Sequence, residues 1–198
     1  TNPSTANIAQ GFFSSIIEQS TITGRISGDV AILEMDEGHA AEITRRIRPR
    51  QVTILNVLED QLDRFVDPAL VREKLTDVAR RATSALVLNA DDQNVLHINN
   101  EVVASGTSWF GLAPQIIAGT EHGLGNAPTY LAELARPKAQ TEILSFNDDE
   151  TVALVADQKI QFNLPNRGIH FALDAAAALE SARRYLGDSF DAQLAANT

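Results

Sequence analysis

Residues 56–65 read NVLEDQLDRF, so Asn56, Asp60, Gln61 and Asp63 crowd the point where an apolar run, QVTILNV, gives way to a helical pattern. Two similar concentrations occur nearby. Glu34 near the end of the apolar run DVAILEM (29–35) is followed by Asp36 and Glu37, and Asn89, Asp91 and Asp92 close SALVLNADD (84–92). Carboxylates and amides gathered at strand ends can bind a hard cation, shape a nucleotide pocket or move protons. They can equally cap helices, because an Asp or Asn at a helix start accepts from free backbone N–H groups. Asp36 and Glu37 suit such a cap, LNADD suits an Asx turn, and Asp60, Asp63 and Arg64 suit a solvated helix face.

The elements that position these groups follow from hydrophobic periodicity. ANIAQGFFSSIIEQ (6–19) has the spacing of an amphipathic helix. The runs 29–35, 51–57 and 84–89 read as strands buried on both faces. EGHAAEITRRIR and PALVREKLTDVARRA read as the helices between them. Strand and helix thus alternate over residues 29–92, which predicts three parallel strands joined by right-handed crossovers. In such sheets ligands bind beyond the carboxyl ends of the strands, where the three polar clusters lie.

Past Asp92 the pattern changes. VLHINNEVVASG, TEILSF, TVALVAD and KIQFNLP read as short strands, the last two as a hairpin turning at Asp157-Gln158. Residues 106–138 show no period and are expected to be irregular. RGIHFALDAAAALESARRYLG reads as a long alanine-rich helix stopped by Gly187. The fold class is therefore α/β: a mostly parallel sheet with flanking helices and a smaller antiparallel region. One domain is expected over 1–198, its α/β part at 1–92 and 166–198 and a β-rich insertion at 93–165.

Composition narrows the function. Of 198 residues, 44% are hydrophobic and 21% charged, with no cysteine, so disulfides and thiolate zinc sites are excluded. A net charge of −10 argues against nucleic acid as the main partner, since little would neutralise its phosphates. Nothing reads as a signal peptide or a membrane span, so the expectation is a cytoplasmic protein that is not integral to a membrane. There is no GxxxxGK[ST] phosphate loop and no nucleophile elbow. His39, His97 and His122 lack metal-ligand spacing, and His170 alone reads as a packed or capping histidine.

LEMDE (33–37), LNVLEDQLDRF (55–65), LNADD (88–92) and GIHFALDAAAALESARRYLG (168–187) stand in the order and spacing of a Mur ligase central domain, which the chain resembles over nearly its whole length. The DQLDR form and the opening TNPSTANIAQGF resemble the MurT branch of that family, which amidates lipid II. The resemblance implies an ATP-dependent amide ligase of peptidoglycan synthesis that uses Mg2+, with Glu34 as metal ligand. It places Glu34 and Asp60 in the catalytic set, and Asn56, Asp91, His170 and Asp174 around the nucleotide. It also implies a GatD-like glutaminase partner and a lipid II-type substrate.

Departures from the family pattern are equally legible. The family's phosphate-loop strand and C-terminal domain have no counterpart within these 198 residues. Phe171 and Asp174 replace two asparagines of Gly-x-His-Asn-x-x-Asn, and the MurT zinc ribbon has no counterpart because there is no cysteine. These residues alone are therefore expected to be inactive, either as the excised central domain of a ligase or as a diverged, non-catalytic, protein-binding relative.

Overall fold

A computed structural model describes residues 14, 16–26, 28–59, 67–102, 106–120 and 123–198. The chain divides into two compact units, Thr1–Arg48 and Pro49–Thr198. The first unit contains helix α1 (Glu37–Thr44), which Asp36 caps by accepting from His39 N–H at 2.9 Å. Residues 29–35 do not form the expected strand. No strand is assigned to them, and Val30, Ile32 and Leu33 are exposed. An apolar run supplies the side chains for a buried strand, but only a neighbouring ladder makes it one.

The second unit is built on a six-stranded sheet in the order β1-β2-β3-β4-β5-β6. Its strands are β1 (Gln51–Ile54), β2 (Ala85–Asn89), β3 (Thr107–Leu112), β4 (Thr141–Phe146), β5 (Thr151–Val155) and β6 (Gln158–Phe162). The pairs β1–β2, β2–β3 and β3–β4 are parallel; β4–β5 and β5–β6 are antiparallel. A mostly parallel sheet with a smaller antiparallel portion is thus present. Its parallel members are 51–54, 85–89, 107–112 and 141–146, where 29–35, 51–57 and 84–89 were expected.

Helices α2 (Pro68–Ala79), α3 (Gln93–Glu101) and α4 (Pro114–Ala118) lie between the parallel strands in sequence. Two expectations fail here. VLHINNEVVASG begins as α3, because Asp92 caps it through Asn94 and Val95 N–H, and Val95, Leu96 and Ile98 fall on one buried helical face. The stretch expected to be irregular contains β3. Its TSWFGL has no polar-apolar alternation to betray it, since Phe110, Gly111 and Leu112 are all buried. The β5–β6 hairpin is present, one residue earlier than expected: Ala156 (φ 46°) and Asp157 (φ 70°) form its two-residue turn. Both adopt left-handed backbone, as the twist-compatible hairpin turn requires.

After β6 come the long helix α5 (Ile169–Leu186) and the short α6 (Ala192–Ala196). Helix α5 packs Ala172, Leu173, Ala176, Ala177 and Leu179 on Phe110, Leu112, Ile143 and Ala153 of the sheet. Fully burying each of the larger side chains contributes about 1.5–3 kcal/mol. Polar ties fix its direction. Ser181 accepts from Gln51 Nε2 through its carbonyl and bonds Thr53 through its hydroxyl, while Glu180, fully buried, accepts from Thr141 Oγ1 at 2.8 Å and from Arg183. The C-terminal half of α5 therefore sits over the starts of β1 and β4. Its N-terminus consequently lies toward the carboxyl ends of the parallel strands.

Candidate functional site

The carboxyl ends of β1, β2 and β3 are tied together by the side chains of LNADD. Asn89 is fully buried; its Nδ2 donates to Leu55 O at 2.8 Å and its Oδ1 accepts from Asp91 N–H at 2.8 Å. Asp92, also fully buried, accepts from Val57 N–H at 2.7 Å with one oxygen and caps α3 with the other. The Asx turn foreseen for this motif is real, the helix cap at Asp92 was not foreseen, and both point into the strand edge rather than into solvent. Burial pushes the Asp92 carboxyl up to about 6, against the three N–H groups that favour its ionised form.

Asp91 looks toward β3. Its Oδ2 accepts from Leu112 N–H at 2.7 Å, and its Oδ1 accepts from Arg136 Nε at 2.6 Å. The Arg136 Nη2 donates to Leu112 O at 2.8 Å and to Glu142 Oε1 at 3.0 Å. Burial raises the Asp91 carboxyl above its ordinary range, opposed by Leu112 N–H and Arg136. Gly111 makes the arrangement possible: a Cβ there would stand 2.6 Å from Asp91 Oδ2 and 3.0 Å from Arg136 Nη2. On the other side, Asn126 Nδ2 donates to Asp91 O at 2.9 Å. Asn126 bridges Leu58, Glu59 N–H donates to Gly125 O, and Ala127 N–H donates to Val57 O. The chain leading toward Asp60 is thereby laced to the loop after β2.

The expected site residues fall as follows. Asn56 lies half-buried just past β1, beside this network in sequence. Asp91 is inside the network. His170 and Asp174 are exposed, one helical turn apart at the start of α5. That helix start has no side-chain cap and begins at Gly168, whose φ of 124° glycine alone adopts with ease. Phe171 between them is 39% exposed, an apolar ring at an otherwise polar helix end. Glu34 is an exposed residue of the first unit. Asp60, Gln61, Asp63 and His122 lie outside the described residues.

Arg136, Glu142, Asn126 and Gly111 were missed by sequence reasoning. Arg136 and Asn126 stand in a stretch without periodicity, and no spacing links either to Asp91, 45 and 35 residues away. Only the pairing of β2 with β3 makes them neighbours.

The donor set also limits what this unit could hold. Both Asp91 oxygens, both Asp92 oxygens and Glu142 Oε1 already accept hydrogen bonds, and among the described residues no three acids or histidines converge as a metal site. A cation site is thus not formed by these carboxylates themselves. The open N-terminus of α5, with its exposed imidazole and ring, does suit a nucleotide: N–H groups for anionic oxygens and an apolar surface for a base.

No protein-family model matches the chain. By sequence it is similar to the lipid II isoglutaminyl synthase (glutamine-hydrolyzing) subunit MurT of Staphylococcus aureus (strain COL), 31% identical over 102 residues, which is 52% of this chain and 22% of that protein. The MurT subunit of Streptococcus pneumoniae (strain ATCC BAA-255 / R6) is 33% identical over 112 residues, 56% of this chain and 24% of that protein. The matches thus span about a quarter or less of these curated relatives. By structure the chain is similar to a pseudomurein peptide ligase type C from Methanothermus fervidus, with TM-score 0.65, 19% identity, and coverage of 88% of this chain and 40% of that one. MurF from Acinetobacter baumannii gives TM-score 0.58 at 15% identity, covering 81% and 31%. MurF from Thermotoga maritima, solved in complex with ADP, gives 0.55 at 17%, covering 81% and 33%. Among the described residues no helix is long and apolar enough to cross a membrane.

Proposed function

We propose, on the premise that this chain has the Mur ligase fold and is MurT-like over half its length, that it is the central domain of an ATP-dependent amide ligase acting on a peptidoglycan precursor. The observation that carries the reading is the strand-end network of Asn89, Asp91 and Asp92. It sits at the edge where parallel α/β sheets take ligands, toward which the uncapped start of α5 points. In this reading a substrate carboxylate accepts the γ-phosphoryl group of ATP, and an amine or ammonia then displaces phosphate to leave an amide. Mg2+ would supply charge neutralisation on the phosphates, with Glu34 as its protein ligand.

Each proposed residue has a distinct task. Asp60 belongs to the catalytic edge. Asn56 and Asp91 shape the nucleotide pocket, and His170 and Asp174 stand beside the base. The finer assignment follows the MurT similarity: the acceptor is the D-glutamate carboxylate of a lipid II-type stem peptide, and a GatD-like glutaminase supplies ammonia in the cytoplasm. The 198 residues on their own are proposed to be inactive, because they contain no GxxxxGK[ST] loop to cradle the phosphates.

A second reading, a non-catalytic domain that binds a protein partner, is favoured by one observation. Phe171 and Asp174 occupy positions where the family motif has asparagines. The test of both is the complete gene product mixed with glutamine, ATP, Mg2+, a glutaminase subunit and lipid II. Phosphate release coupled to amidation supports the ligase, and its absence with retained complex formation supports the second reading.

A further inference from the structure

We propose that Arg136 is a positioning residue that sets the segment Val57–Glu59, the approach to Asp60, by acting through Asp91 and Asn126. The site whose approach is set is the one in the ligase reading, and the inference rests on that reading only to this extent. Three observations carry it. First, the guanidinium is committed at three points, Asp91 Oδ1, Leu112 O and Glu142 Oε1, so it joins the end of β2 to β3 and β4. Lysine cannot reproduce that fork, because its donors radiate from a single nitrogen. Second, the Asp91 side chain has no solvent exposure, and among the described residues its two oxygens are used by Arg136 and Leu112 N–H. Loss of the guanidinium leaves a buried carboxylate half-satisfied, and the loop must shift to hydrate it.

Third, that loop is the anchor of the next one. The Asp91 carbonyl accepts from Asn126 Nδ2, and among the described residues Asn126 Oδ1 is buried with no hydrogen-bond partner, so the bond to Asp91 is the hydrogen bond that orients the Asn126 side chain there. Asn126 bridges Leu58, with the flanking bonds Glu59 N–H to Gly125 O at 3.1 Å and Ala127 N–H to Val57 O at 2.7 Å. A disturbance at Arg136 is thus passed through the Arg136–Asp91 and Asn126–Asp91 hydrogen bonds and the backbone bonds of residues 125–127 to residues 57–59, with which Arg136 makes no hydrogen bond or ion pair among the described residues. The guanidinium is a constraint on the approach to the site and has no need to meet substrate itself.

The test is amide hydrogen exchange on the chain carrying Arg136→Gln or Arg136→Lys, read beside global unfolding. Exchange at Leu112 and Glu59 should both accelerate about tenfold or more beyond the change at the core amides of Val87 and Leu88. Arg136→Lys should fall between wild type and Arg136→Gln, and it decides the matter if the glutamine variant does not fold. Acceleration at Leu112 with Glu59 following the core would overturn the inference, because Arg136 would then act only on its own contacts. In the complete ligase Arg136→Gln should raise KM for ATP about tenfold with a smaller change in kcat. An unchanged KM in folded variant contradicts the inference. A wild-type complete protein that turns over no ATP sinks the ligase reading instead, and the exchange pattern alone then decides the role of Arg136.

Discussion

Arg136 Nε lies 2.6 Å from Asp91 Oδ1, joining residues 45 apart in sequence across the carboxyl ends of β2 and β3. The carboxylate is wholly buried and the guanidinium only partly so. Removing the acid therefore strands a Leu112 N–H and a half-buried cation. Asp91→Ala should cost about 2–4 kcal/mol, measured by urea unfolding, and Asp91→Asn distinctly less because the amide oxygen still accepts from Leu112.

Gly111 tests the same contact from the other strand. A methyl group there would meet Asp91 Oδ2 at 2.6 Å, so Gly111→Ala should destabilise by about 1–3 kcal/mol through forced displacement. Combined with Asp91→Ala the penalty should shrink, since the clash partner is gone. Additive costs in a double-mutant cycle would show that the close approach does not govern the site.

The region around this contact also shows where sequence reasoning reached its limit. Asn89, Asp91 and Asp92 were legible as a cluster because a strand and an Asx turn follow one another within a few residues, whereas the cap that Asp92 supplies was hidden by reading the next stretch as a strand. The α5 helix and the β5–β6 hairpin were legible for the same reason: their signals are local. Strand β3 was not, because TSWFGL is buried on both faces and carries a glycine that Asp91 and Arg136 demand. Residues 29–35 misled in the opposite sense, an apolar run without a ladder among the described residues. Arg136 and Asn126 acquire meaning only through strand order, which periodicity does not encode.

Asp92 gives a pH signature. Its carboxyl titrates near 6 in the folded protein against 3.8 when exposed, so between these values the native state holds the extra proton. Its contribution to stability is full below about pH 4 and is lost as pH rises through about 6, amounting to at most about 3 kcal/mol. Asp92→Asn should flatten that part of the stability profile while lowering stability overall, because the amide serves the Val57, Asn94 and Val95 N–H groups less well. A slope that persists in Asp92→Asn would assign the titration to another group.

Glu180 anchors α5. It is fully buried, with Thr141 and Arg183 as its partners. Glu180→Ala should cost about 3–5 kcal/mol by leaving Arg183 and Thr141 unpaired next to the sheet. Calorimetric unfolding of the variant checks this, and a loss below about 1 kcal/mol would mean that water replaces the carboxylate without strain.

The central claim is that this fold serves ATP-driven amide formation on a cell-wall precursor. The most direct measurement follows the complete gene product, with a glutaminase subunit and glutamine, by mass spectrometry of lipid II before and after incubation with MgATP. The account predicts conversion of the stem-peptide carboxylate to its amide, dependent on ATP and abolished by Glu34→Ala. Lipid II that stays unamidated while the protein is folded and bound to its partner would contradict it.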